Sequence, residues 1–387
     1  MALTGTAEGP PVLSPAPAYG LLKEVLRVLS WVTGEIGTRV DLDPAVVLAG
    51  RAGSSGLRRA GRRSASGVSR LLRTADGWCA ITLSRREDVD AVPAILGRAF
   101  DGDPWTALES ALSIMPSAAV EERAQLLGVP AAALPATVAP TVPWRSSRIA
   151  APVDTSSLSG RSVVDLSSLW AGPLCARVLG RAGAQVIKVE STHRPDGFRV
   201  GDPRFFDWLH DGKEFRAIDF RSARGRNELA ELLDMADIVI EASRPRALAQ
   251  LGLAPEDRPH PDGQVWLSLT GAGRGDPMCV AFGDDAAVAG GLVGRYRDEP
   301  VFCADAIADP LSGICAALAV ASAVRGGGGV LIDLSMRATA AAFATAPAFG
   351  HGTHPVHRRG DDWLVECPWL QRSQSILTPA APPPGGA

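Results

Sequence analysis

Asp309 in "IADPLSGI" stands where a polar stretch meets a long apolar run. An aspartate followed by proline at the start of an apolar helix is an ordinary N-cap. The same position suits chemistry. A helix N-terminus stabilises a carboxylate and keeps it ionised at neutral pH, and an ionised carboxylate is a nucleophile. The two roles are compatible. Asp305, just upstream, is the other local acid, and it lacks the "DPLSG" context. Three further clusters invite a reading. His351, His354 and His357 have a spacing that suggests a metal, but Gly352 and Pro355 interrupt any rigid element, so surface histidines are expected and no metal site. Gly326 to Gly329 form a glycine run without the Lys-Ser/Thr of a phosphate loop, and read as a turn between helix and strand. Arg51 to Arg73 carries seven arginines and no acid. With no aromatic interleaved, it reads as a solvated or mobile Gly/Ser loop and not as a nucleic-acid site.

The elements that must position Asp309 follow from periodicity. "SVVDLS" from Ser162 is a strand, and Leu174, Cys175, Val178, Leu179 and Ala182 make one helical face after Pro173. "AQVIKVE" is the next strand. The rhythm repeats with "RAIDF", a helix from Ser222 to about Met235, "DIVIE", a short helix ending at Gly252, and "QVWLSLT". Strands alternating with crossover helices predict an α/β fold, a doubly wound parallel sheet that takes ligands beyond the carboxyl ends of its strands. The first strand-to-helix turn reads "SSLWAGP" and not G-x-G-x-x-G, which disfavours a dinucleotide.

"VVDLSSLWAGPLCARVLGRAGAQVIKVES" resembles the opening of the family III CoA-transferases, the CaiB/BaiF group that includes formyl-CoA and carnitine CoA-transferases and α-methylacyl-CoA racemases. "GKEFRAIDFRSARGRNELAELLDMADIVIEASRPRALAQLGL", "VWLSLTGAGRGDP" and "ADPLSGICAALAVASAVRGGGGVLIDLSM" resemble its following units, so the likeness runs from about Ser162 to Met336. The resemblance implies a Rossmann-like CoA-binding domain and makes Asp309 the catalytic nucleophile, which attacks a thioester to give an anhydride and then an enzyme thioester. It implies no tightly bound cofactor, with a coenzyme A thioester as substrate, a carboxylic acid acceptor as partner, and a homodimer. The CoA nucleotide, a polyanion, would use Ala171, Gly172, Lys188, Lys213, Arg244 and Arg246 around the strand-to-helix turns, although each cation alone also reads as surface charge. The sequence departs from the family at two places. Ala242 and Ser243 replace an Asn-Phe pair, and His210 replaces an asparagine. A racemase remains the alternative. Relatives of that kind supply a histidine from the segment matching "AFGDDAAVAGG", where this chain has only Asp284 and Asp285. A non-catalytic CoA-binding paralogue is the third reading.

The order of parts looks permuted. "SGVSRLLRTADGWCAITLSRREDVDAVPAIL" resembles the family's small DGW-containing domain, yet it precedes the AGP unit, and "RRGDDWLVECPW" is a faint echo of the same strand. The expected organisation is a disordered N-terminus (1–20), a smaller α/β domain (21–135), a proline-rich linker (136–157), the CoA-binding domain (158–340) and an extension with a disordered Pro/Gly tail (341–387). The length of 387 residues at 46% hydrophobic content supports two cores. The net charge of −3 argues against a polyanion-binding molecule as a whole. Six scattered cysteines without a C-x-x-C pair fit a reducing compartment. With no secretory signal or membrane span recognised, a cytoplasmic protein is expected.

Overall fold

The computed structural model describes residues 2–348, 353–360 and 362–383. The chain begins with helices α1 (Ala16–Ile36) and α2 (Pro44–Ser55). Next comes a small unit of strands β1 (Ser69–Arg73) and β2 (Trp78–Thr82), helices α3 (Arg86–Asp90), α4 (Val92–Leu96), α5 (Pro104–Leu112) and α6 (Ser117–Leu126), and strand β3 (Ala131–Ala133). Strand β4 (Trp144–Arg148) leads into the alternating region. This comprises β5 (Ser162–Asp165), α7 (Ala171–Arg181), β6 (Gln185–Ser191), α8 (Pro203–His210), β7 (Glu214–Ile218), α9 (Ala223–Met235), β8 (Ile238–Glu241), α10 (Pro245–Gln250) and β9 (Val265–Thr270). Helix α11 (Gly283–Ala289), a hairpin of β10 (Gly294–Tyr296) and β11 (Glu299–Val301), α12 (Ala308–Arg325), β12 (Val330–Ser335) and α13 (Met336–Ala344) follow. Strands β13 (Val356–Arg359), β14 (Asp362–Cys367) and β15 (Arg372–Ser375) form a last antiparallel sheet around the "RRGDDWLVEC" segment.

The main sheet has the order β4-β12-β9-β8-β5-β6-β7. All its pairs are parallel except β4 with β12. The inner strands β12, β9, β8 and β5 are apolar on both faces, as a sheet covered by helices requires. Val163, Ile238, Ile240, Val265, Leu267, Leu269, Ile332 and Leu334 belong to one core with α1, α7 and α12. Val164, Val239, Trp266 and Leu331 belong to a second core with Leu229 and Leu233 of α9 and Leu248 of α10. The chain is therefore α/β, with a doubly wound, mostly parallel sheet. A smaller unit pairs the antiparallel sheet β1-β2-β3 with α4, α5 and α6 around Leu72, Ile81, Ile95, Leu108 and Leu112. Helix α12 has the length and composition to cross a membrane, but it is a core helix, packed against α1, α7 and α13.

Four boundaries differ from the sequence expectation. Helices α1 and α2 do not belong to the smaller domain: Leu22, Leu26, Leu29, Val32 and Val47 join the core of the large sheet. Amphipathicity announces that a face is buried but not against what. The N-terminal segment expected to be disordered is packed, with Leu3 and Val12 buried and the Arg59 guanidinium donating to the carbonyls of Thr6 and Gly9. The expected linker supplies β4, an edge strand whose mostly exposed residues carry no hydrophobic signal. The described part of the tail lies on α2, where any Cβ on Gly53 would sit 2.2 Å from the Ala380 carbonyl carbon and one on Gly50 3.0 Å from Pro382. The end of the tail, 384–387, lies outside the described residues, as does His351. All six cysteines are free thiols, five of them buried.

Candidate active site

Asp309 occupies the first turn of α12, whose N-cap is Ile307 and makes no side-chain cap. It is therefore not the N-cap residue. The residue is partly exposed, and its carboxyl faces α11. Any Cβ on Gly283, the first residue of α11, would lie 2.6 Å from Asp309 Oδ2 and 2.2 Å from the Ala306 carbonyl oxygen. Glycine is thus required for α11 to approach the carboxyl. The segment before α12 is strained. Ala304 and Ala306 have φ of 56° and 44°, a left-handed conformation that alanine adopts only when its surroundings impose it.

Four carboxyls crowd this point. Asp305 receives two guanidinium bonds from Arg51 of α2, from Nε at 2.8 Å and from Nη2. Asp284 accepts from the Ser69 hydroxyl at 2.9 Å and from the Ala306 amide at 3.1 Å. Asp285 accepts from the Thr82 hydroxyl at 3.1 Å and from the Phe282 amide at 3.0 Å. These bonds tie α11 to β1 and β2 of the smaller unit. Burial raises Asp309 to about 8. Arg51 opposes the rise, and Asp284, Asp285 and Asp305 add to it. Asp285 is pushed up by burial to about 7. The expectation that a helix N-terminus keeps Asp309 ionised is thus overturned, because loss of water and three neighbouring acids outweigh the partial charges of one helix end.

The remaining predicted site residues gather at the carboxyl ends of β5 and β8, where the strand order reverses direction. Ala171 and Gly172 open α7 but are buried, and what approaches them is protein. Any Cβ on Gly172 would fall 2.2 Å from the Ser167 side chain. The Ala171 carbonyl oxygen lies 2.6 Å from where a Gly313 Cβ would stand, so the small residues let α7 and α12 close up. Lys188 and Lys213 are not free cations for a phosphate. Lys213 donates to Asp165 at 3.1 Å and to the Pro173 carbonyl at 3.0 Å. Lys188 donates to the Ser167 carbonyl and lies 3.4 Å from Asp196. Asp165 is held down to about 2 because Lys213 and Lys188 outweigh the effect of burial. His210 sits against this network with both ring nitrogens unpartnered, and burial lowers it to about 2, so it is neutral. The network braces the 166–170 turn from below, and that turn holds Leu169 at φ 67°. A lysine inside a strand sequence looks like surface charge until the sheet order shows that its strand is central. Arg244 and Arg246 remain on the rim. Burial and the nearby Arg246, Arg85 and Arg194 lower Arg244, so several cations converge at this rim, Arg85 among them being paired with Asp88.

The arginine stretch is not one mobile loop. Arg51 reaches the site and Arg59 ties down the N-terminal segment, while Arg62, Arg63, Arg70 and Arg73 line a cleft of about 910 Å³. The aromatics missing from the stretch itself come from elsewhere. Arg62 and Arg73 lie over Trp78, and Arg70 over Trp105. Sequence reasoning missed Gly283, and it noticed Arg51 only as one of a run. The one available signal was the glycine in "AFGDD".

A doubly wound, mostly parallel sheet whose first strand-to-helix turn lacks a dinucleotide fingerprint, with an acidic residue in the first turn of its core helix, places the chain among α/β proteins of the non-dinucleotide-binding kind. The profile of "CoA-transferase family III" matches residues 158–363, and the chain belongs to that family. It is 30% identical over 211 residues to succinyl-CoA:glutarate CoA-transferase of Mus musculus, covering 49% of this chain and 48% of that protein. It is 33% identical over 192 residues to alpha-methylacyl-CoA racemase of Homo sapiens, covering 46% and 48%. It is 32% identical over 252 residues to a subunit of succinyl-CoA:(R)-benzylsuccinate CoA-transferase of Thauera aromatica, covering 56% and 61%. The chain thus spans about half the length of the curated relatives it matches. Among solved structures, a CAIB/BAIF family protein from Brucella suis aligns at 25% identity with a TM-score of 0.47, over 54% of this chain and 65% of that one.

Proposed function

We propose that the protein is an acyl-CoA:carboxylate CoA-transferase with Asp309 as the covalent nucleophile. The observation that carries this is the placement of Asp309, the one residue of the four acids that is not fully buried, while its neighbours are engaged by Arg51, Ser69 and Thr82. In its ionised form, an Asp309 oxygen attacks the thioester carbonyl carbon and the carbon–sulfur bond breaks. The CoA thiolate leaves, and a mixed anhydride remains on the enzyme. The thiolate then attacks the aspartyl carbonyl, releases the donor acid as its carboxylate, and leaves an enzyme thioester. The acceptor carboxylate takes CoA by the reverse steps. The nucleotide end of CoA is proposed to meet the Arg244–Arg246 rim at the switch point. A homodimer in the cytoplasm, with no tightly bound cofactor, completes the reading.

A racemase would need two acid/base groups flanking the α-carbon. Asp284 is bonded at both oxygens, by the Ser69 hydroxyl and the Ala306 amide, and Asp285 at Oδ1 only, by the Thr82 hydroxyl and the Phe282 amide. Asp284 at least is therefore not free to serve as one of the two, which favours transfer. Incubation with succinyl-CoA followed by hydroxylamine is expected to leave a hydroxamate on the Asp309 peptide, detected by mass. Turnover without that tag, or full activity in Asp309→Asn, would sink the covalent mechanism.

A further inference from the structure

We propose that the cleft between β1 and the β10–β11 hairpin binds a small molecule carrying two or more phosphate groups. Five arginines line it: Arg62, Arg63, Arg70, Arg73 and Arg297. Only two acids share the lining. Glu109 lies 3.2 Å from Arg70, and Glu299 lies 3.9 Å from Arg62. Positive charge is therefore left over at one concave point. Four of the guanidiniums lie over rings: Arg62 and Arg73 over Trp78, Arg70 over Trp105, and Arg297 over Tyr296, which also lines the cleft. Stacking on a ring face fixes the plane of a guanidinium and leaves its N–H edge to meet phosphate oxygens in pairs. A volume of about 910 Å³ suits a nucleotide-sized ligand and not a duplex. This site is independent of the chemistry proposed for Asp309. Calorimetric titration with pyrophosphate at physiological salt is expected to show one saturable site. The Arg70→Gln/Arg73→Gln double variant should weaken it at least tenfold with an unchanged melting temperature, whereas Asp309→Asn should not. If the nucleotide of CoA sits here and not at the Arg244–Arg246 rim, the double variant also raises KM for succinyl-CoA. If it is a separate nucleotide, KM stays and ADP binding is lost. No saturable binding, or equal binding by the double variant, overturns the proposal.

A second observation stands apart from the first and rests on the reading of Asp309. Arg51 lies outside the segment matched by the family, yet its side chain reaches the site with only 17% of its surface exposed. It grips Asp305 with two nitrogens, and its charge centre lies 5.2 Å from the Trp170 ring and 5.6 Å from that of Phe198. We infer that Arg51 is a positioning residue that holds the strained 304–306 turn and keeps Asp309 available in its attacking form. The groups facing Asp309 are Arg51 from α2, Asp284 and Asp285 from α11, and Asp305 from the turn. Removing the cation should make Asp309 hold its proton to higher pH, and removing the Asp305 charge should do the reverse. The measurement is a 13C titration of aspartate-labelled protein, with the Asp309 signal assigned by its loss in Asp309→Asn. The midpoint should rise in Arg51→Gln, fall in Asp305→Asn and stay near wild type in Arg51→Lys. An unmoved midpoint in Arg51→Gln, or shifts in the same direction for the first two, overturns the inference. Because this readout needs no turnover, its failure is separable from failure of the transferase reading.

Discussion

Asp309→Asn tests the site through stability as well as through activity. Asp309 is raised to about 8 in the folded chain, from an ordinary 3.8, by burial and by Asp284, Asp285 and Asp305, against the pull of Arg51. The folded protein then keeps a proton that the unfolded chain releases. This stabilising contribution is complete below pH 3.8 and is lost as pH rises towards 8. The loss amounts to at most about 1.4 kcal/mol for each pH unit in that window. Asparagine keeps the shape and does not titrate. The difference in unfolding free energy between wild type and variant should therefore shift in favour of the variant, by up to about 1.4 kcal/mol per unit, as pH goes from about 5 to about 7. Urea denaturation at several pH values measures it. Turnover makes the complementary statement. With a midpoint near 8, only about a tenth of the protein carries an attacking carboxylate at pH 7. The wild-type rate should climb about tenfold per pH unit below the midpoint and level off above it. A stability difference that is flat with pH would refute the assignment of a protonated Asp309. A rate that is already flat below about pH 6 would do the same.

Gly283→Ala should abolish transfer and lower the melting temperature, because its Cβ would meet the Ala306 carbonyl oxygen at 2.2 Å and the Asp309 carboxyl at 2.6 Å. Thermal unfolding and the hydroxamate tag read the two effects. Lys213→Met takes from buried Asp165 the cation bonded to it, leaving Lys188 as its remaining cation, and should cost up to about 3–5 kcal/mol by urea unfolding. A loss below about 1 kcal/mol would show that the network does not brace the turn. Arg244→Ala/Arg246→Ala should weaken CoA binding in calorimetry with little change in unfolding free energy, whereas the wild type should bind CoA and not NAD.

The alternation of strands and crossover helices from Ser162 to Ser335 was legible because both signals are local. Each strand is a short apolar run, and each helix carries an apolar face and a stop. The turn lacking a dinucleotide fingerprint, and the special context of Asp309, were also visible along the chain. What the sequence could not assign was the partner of each buried face. Helix α1 is amphipathic wherever it docks, and only the assembled sheet sends it to α12 and not to the smaller unit. The charges show the same limit. Lys188 and Lys213 have the composition of surface cations, and they become internal braces because β6 lies between β5 and β7 and the α7 turn closes over it. Arg51 and Asp305 are 254 positions apart, and Asp284 meets Ser69 across 215. The protonation of Asp309 depends on those distant groups and on the exclusion of water, so the tertiary structure decided it, because the field at a carboxyl is set by proximity in space and not by neighbours in the chain.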